Sequence, residues 1–299
     1  MSPAGAALYK AQVQLPTPPF KLAAIDTETC RIKESRHDSR RKTRHEPPDT
    51  PDLVLGSICA DGEVIVLHKK ELIREITCLL LEGYHVVCHN FAFDYHVLNR
   101  ADADLGELLR KVVDVGRAHD SQILEQLIQI ARGDQTVDKK VVKGVKLADL
   151  AFRRCGMKLA KDDDVRLGFD AFLDPRSTVP QNFLEYASLD AVATYKVFCN
   201  QWKEALLYAD SPCRYPVFDD CRVRFGLLSE SIQVKGALAL RWLEGFPLRV
   251  DLPQVERLRG QFQSESRLLE DALVAFKFAK RTPKTKRFGL SHIRLRQLL

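Results

Sequence analysis

With 299 residues, 45% of them hydrophobic and 29% charged, the chain can bury a sizeable core, as one large domain or a medium one with an appendage, and general disorder is excluded. The formal charge of +6 is modest but uneven: Arg31 to Arg44 (RIKESRHDSRRKTR) is strongly basic, Lys277 to Leu299 holds many bases and no acid, and most carboxylates lie between. No apolar run is long enough for a signal peptide or a membrane span, and the eight scattered cysteines lack a Cys-x-x-Cys pair, which points to reduced thiols in a cytoplasmic protein.

In chain order, residues 1–20 read as a flexible leader ending at Pro19. Lys21–Thr27 is a short buried strand, because apolar residues run directly into polar ones. The basic run and the Pro-rich HEPPDTPD form a loop. Leu53–Ala60 and Glu63–His68, joined by Asp61-Gly62, predict a hairpin. Lys70–Glu82 has helical spacing and stops at Gly83. His85–His89 is the next strand, and a helix covers Phe93–Arg100. His85, Cys88 and His89 have no second ligand pair at zinc spacing, so they read as strand residues. Val112–Val115 predicts a short strand, His119–Ala131 a helix, and Lys146–Cys155 a helix ending at Gly156. Gln181 to about Tyr208 predicts one long helix. A composition shift at Ala209–Tyr215 places a domain boundary near residue 212. Beyond it, helices are expected over Phe218–Glu244 and Leu252–Lys280. Early strands followed by alternating helices and strands predict an α/β domain on a mixed sheet, residues 21–212, with a helical segment over 213–299.

Three segments carry candidate chemistry. Asp26 and Glu28 sit at i and i+2 of a strand end, so both project from one face. Two carboxylates about 4 Å apart at an effective dielectric near 20 repel by roughly 4 kcal/mol, so such a pair calls for a cation, a shared proton or an arginine. Asp94 follows a hydrophobic strand and His89-Asn90 in VVCHNFAFDYHVL, where a first-turn helix acid is the plain reading. Tyr186 and Asp190 lie at i and i+4 of FLEYASLDAVATYKVF, on one face of the long helix, and an acid among apolar neighbours needs a partner if buried.

Strand-end Asp-x-Glu, an acid after His-Asn-x-x-Phe, and Tyr-x-x-x-Asp on a late helix, in that order, closely resemble the DEDD exonuclease superfamily, in the subgroup whose third motif carries tyrosine. The resemblance covers about Lys21 to Asn200, and HDSQILEQL and LADLAFRRCG look like the family's connecting segments. It implies a ribonuclease-H-like fold and 3′–5′ exonuclease activity with two divalent ions, Mg²⁺ or Mn²⁺, as hard oxygen ligands favour. Asp26, Glu28 and Asp190 would hold one ion; Asp26, with Asp94 directly or through water, the other. Tyr186 would orient the attacking water. Thr27, Asn90 and Phe93 match positions near the substrate, although Phe93 also reads as core, and His89 reads as a structural hydrogen-bonding residue.

AVATYKVF after the third motif looks more like the proofreading domain of family A DNA polymerases than like ribonuclease D. WLEGFPLRVDLPQVERLRGQF resembles the start of their polymerase region, whose later acid-bearing segments are absent, so no polymerase activity is expected. The expected substrate is the 3′ end of single-stranded DNA, with RNA or a non-catalytic nucleic-acid-binding module as the alternatives. Possible partners are the rest of a polymerase or another replication protein; the basic segment 31–45 is open to three readings, a DNA-contacting flap, a partner-docking element or disorder.

Overall fold

The computed structural model describes residues 7–30, 50–134, 144–159, 163–209, 225–245, 252–275, 279–281 and 288–290. The basic run, Cys213, Cys221 and most of the basic tail lie outside the described residues.

The first compact unit, Met1–Phe246, is built on a six-stranded sheet. Its strands are β1 (Tyr9–Gln12), β2 (Leu22–Thr29), β3 (Leu53–Ala60), β4 (Glu63–His68), β5 (His85–Cys88) and β6 (Ala118–Asp120). They lie in the order β1-β4-β3-β2-β5-β6. β3 is antiparallel to both β2 and β4, whereas β2, β5 and β6 run parallel. The sheet is therefore mixed, in the ribonuclease-H-like arrangement, with β2 at its centre. The hairpin turns at Asp61 and Gly62, both with left-handed φ (49° and 83°), which suits a two-residue loop between twisted strands.

Helices cover both faces: α1 (Lys69–Leu81), α2 (Phe91–Ala101), α3 (Ala103–Asp114), α4 (Ser121–Arg132), α5 (Leu147–Cys155), a short α6 (Asp163–Arg166), and the long α7 (Gln181–Ala209). Alternation along β2 sorts them. Ala23 and Ile25 join the core formed with Leu72 and Ile76 of α1 and with Tyr95 and Leu98 of α2. Leu22 and Ala24 join the opposite core, with Leu124 and Ile128 of α4 and Ala191, Val192 and Phe198 of α7. One strand thus feeds two cores, and the continuation of each parity selects which helix a polar residue will meet.

Four expectations change. The leader is not wholly flexible: Tyr9–Gln12 pairs antiparallel with β4, from Tyr9↔Val66 to Gln12↔Glu63. Val112 and Val113 belong to the last turn of α3, where Leu105, Leu109, Val112 and Val113 bury one helical stripe; the strand comes later, at Ala118. The segment after residue 212 also contributes to the first unit. α8 (Glu230–Gly245) buries Val234 and Leu238 in the α1–α2–α3 core, so the first unit extends to Phe246. Finally, Ala279 and Lys280, expected as the end of a helix, belong to a strand, Ala279–Arg281. Among the described residues, the second unit, Pro247–Leu299, contains α9 (Leu252–Ala275) and the antiparallel strand pair β7 (Ala279–Arg281) and β8 (Phe288–Leu290). Among the described residues, no helix is long and apolar enough to cross a membrane.

Candidate active site

Even-numbered residues of β2 face α7, so Asp26 and Glu28 extend the row begun by Leu22 and Ala24 toward the helix that carries Asp190. The approach of α7 is fixed by Ser57, which pairs with Asp26 across the strands and donates its hydroxyl to the Ala187 carbonyl at 2.8 Å. A carboxylate oxygen from each of Asp26, Glu28 and Asp190 falls within 4.8 Å of the others. A register shift between Glu28 and Thr29 ends the regular pairing at this edge, where bulges re-aim side chains. Gly56, opposite Thr27, is required here. A Cβ would lie 2.8 Å from the Asp26 carbonyl and 2.6 Å from Leu72.

Asp94 reaches the site from the other face. It is buried in the first turn of α2, and its Oδ1 accepts from the Thr27 hydroxyl at 2.7 Å and the Thr27 amide at 3.2 Å. Thr27 has odd parity on β2, so it points to α2 as Asp26 and Glu28 point to α7. Asp94 is consequently held beside the three gathered acids without belonging to their group. Thr27, expected near substrate, is buried and directs both of its donors to Asp94. Asn90 is exposed at the start of α2 with left-handed backbone (φ 75°), and Phe93 packs half-buried at the core's margin. His89 is hydrogen-bonded to the Ser121 hydroxyl at 2.8 Å, and burial lowers its pKa to about 4.

Crowded acids resist ionisation. Burial, reinforced by Glu28, Asp190 and Asp94, holds Asp26 well above the usual carboxylate range. Burial raises Asp94 to about 7 against the opposing hydrogen bonds from Thr27. It raises Asp190 to about 6, although the Tyr186 hydroxyl, one turn earlier, donates to that carboxylate. Three hard oxygen donors, each charge repelling the next by roughly 3 kcal/mol at this spacing, are chemically suited to a divalent cation such as Mg²⁺ or Mn²⁺.

Sequence reasoning missed Asp120. Its buried carboxylate accepts from the amides of Asn90 (3.2 Å), Phe91 (2.8 Å), Gln122 (2.8 Å) and Ile123 (3.2 Å), and so caps α2 and α4 together. Its position before an apolar-periodic run was the available sign, obscured by starting that helix at His119.

A family model described as 3′–5′ exonuclease matches residues 20–205, from just before β2 to within α7. No curated protein matches by sequence. Among solved structures, the chain is similar to the EXO domain of Aedes aegypti Nibbler, at 12% identity and a TM-score of 0.43, covering 74% of this chain and 87% of that one. It is similar to the catalytic core of Trypanosoma brucei RRP6, at 15% identity and a TM-score of 0.43, covering 77% and 48% respectively. It is also similar to Brucella melitensis NrnC, at 14% identity and a TM-score of 0.43, covering 73% and 87%. The matched span contains every acid of the site and more than half of the sequence, and the chain belongs to the 3′–5′ exonuclease family, whose members act on nucleic acid with divalent metal ions.

Proposed function

We propose that this protein removes nucleotides from the 3′ ends of single-stranded DNA by two-metal-ion phosphodiester hydrolysis, in the manner of a proofreading domain and without polymerase activity of its own. The observation that carries the reading is the convergence of Asp26, Glu28 and Asp190 within 4.8 Å, with Asp94 alongside. Asp26, Glu28 and Asp190 would hold one Mg²⁺ or Mn²⁺, and Asp26 with Asp94 the other. Bound there, the ions would supply a more acidic water and stabilise the leaving 3′-oxyanion. Thr27 holds Asp94 in place. Tyr186 orients the attacking water rather than deprotonating it, since phenol hydroxyls are poor general bases at neutral pH. Asn90, exposed just before α2, and Phe93, half-buried in its first turn, contact the terminal nucleotides. Single strands are favoured because the last nucleotide must reach recessed acids. The choice of DNA is supported by the resemblance of AVATYKVF and of Trp242–Phe262 to family A polymerases.

Purified protein with Mg²⁺ or Mn²⁺ should shorten a 5′-labelled single-stranded DNA from its 3′ end, and Asp190→Asn should not. Equal ladders from both proteins would count against the site. RNA of the same sequence, run in parallel, decides the polymer: preferential loss of RNA would replace DNA with a ribonuclease D-like activity. Metal-independent binding without turnover would favour a non-catalytic module.

A further inference from the structure

We propose that Glu230, on α8, is a positioning residue for the nuclease site, which makes a helix beyond the family-matched span an integral part of the exonuclease; the inference rests on the site assigned above. Glu230 is only 1% exposed. Its Oε1 accepts from the Asp120 amide at 3.0 Å, and its Oε2 lies 3.0 Å from His119 Nδ1. Asp120 in turn holds the amides of Asn90 and Phe91, which open α2, and α2 carries Asp94 in its first turn, bonded to Thr27 between Asp26 and Glu28. Hydrogen bonds, linked by the short backbone runs Asn90–Asp94 and Asp26–Glu28, therefore connect α8 through the end of edge strand β6 to the acids.

Two features show that the contact is built rather than incidental. The turn into α8 has left-handed backbone at Gly226, Leu228 and Ser229 (φ 79°, 52° and 67°), and for non-glycine residues that persists only where surrounding structure over-determines it. Val234 and Leu238 then seat the helix in the α1–α2–α3 core. A buried carboxylate is costly unless its oxygens are hydrogen-bonded, and here both oxygens go to consecutive residues of β6. At the far end of the set, Asn90 is itself left-handed, so the turn that presents Asn90, Phe93 and Asp94 depends on Asp120 for its geometry.

Without Glu230, the Asp120 amide loses its acceptor, the end of β6 shifts, and Asp94 moves with α2. In the full-length protein, Glu230→Ala is expected to lower kcat on single-stranded DNA about tenfold to a hundredfold, since small misplacements of reacting groups cost that much. KM should rise as well, by about threefold to tenfold, because Asn90 and Phe93, assigned to the terminal nucleotides, sit on the same displaced turn. Amide hydrogen exchange over residues 89–95 should accelerate while the β3–β4 hairpin is unchanged. Glu230→Gln retains the Oε1 acceptor, and His119 can adopt the tautomer that accepts from the new amide, so it should restore these readouts. If Glu230→Ala fails to fold, Asp120→Asn, which breaks the next link, carries the same expectation. Leu238→Ala serves as a packing control. Wild-type kcat and wild-type exchange at 89–95 in Glu230→Ala would overturn the proposal. So would a rate loss no greater than that of Leu238→Ala at an equal fall in Tm. If the wild-type protein cleaves neither DNA nor RNA, the proposed function fails, and exchange at 89–95 alone decides the positioning role.

Discussion

Asp190 has two opposed effects at once: as a metal ligand it serves catalysis, and as a third carboxylate within 4.8 Å of two others it strains the metal-free fold. Asp190→Asn should therefore lower exonuclease turnover by more than about a hundredfold while leaving the Tm of the metal-free protein unchanged or higher, checked by a ladder assay and by melting in chelator. The pH dependence follows from the raised acids. Asp94 and Asp190 have folded pKa values of about 7 and about 6, against about 3.9 unfolded, so between these limits the folded state binds more protons. Their contribution to the stability of the metal-free protein thus falls as pH rises from about 4 through 7. Bound Mg²⁺ or Mn²⁺ offsets that loss, so the metal-induced rise in Tm should be larger at pH 8 than at pH 5. His85 and His89, lowered by burial to about 4, act in the opposite direction but largely cancel in this difference because they are present with and without metal. A metal shift independent of pH would contradict the assignment of these acids. Strand parity marked Asp26 and Glu28, and i,i+4 spacing marked Tyr186 with Asp190, because both are local rules; only the order of the three motifs, through its family resemblance, joined them to one another and to Asp94. Glu230 was not legible, because its partners His119 and Asp120 lie 111 and 110 residues away. Asp120 carried a local sign as the cap before Gln122 and Ile123, but its bonds to Asn90 and Phe91, 30 and 29 residues away, had none.

At the scale of elements, the junction of β2, β3 and α7 determines whether the acids meet. Gly56 permits β3 and Leu72 to close on Asp26, so Gly56→Ala should lower Tm by about 3–10 °C and reduce turnover in parallel, measured by calorimetry and by the same ladder. The β3–β4 hairpin was readable from Asp-Gly between two β-rich runs, and α7 from sustained helical spacing. α3 misled because its last turn, Val112-Val113, is β-branched and apolar, and only burial of Leu105 and Leu109 on the same stripe reveals the helix. β1 was overlooked although Tyr9, Ala11, Val13 and Leu15 alternate with Lys10, Gln12 and Gln14 in the strand pattern, because the run is short and lies in a proline-flanked leader.

At the scale of the whole molecule, a net charge of +6 predicts that binding of a polyanion weakens with ionic strength. KM for single-stranded DNA should rise steeply between low and physiological salt while kcat stays nearly constant, as steady-state kinetics at several KCl concentrations would show. The placement of α8 in the first unit also means that the family-matched span and the folded unit end at different points. One last feature bears on handling the protein. Tyr9–Gln12 occupies the hydrogen-bonding edge that β4 would otherwise offer to solvent. A variant lacking the first fourteen residues would leave that ladder open to recruit β-strands from other molecules, so it should form concentration-dependent aggregates even with every acid of the active centre in place.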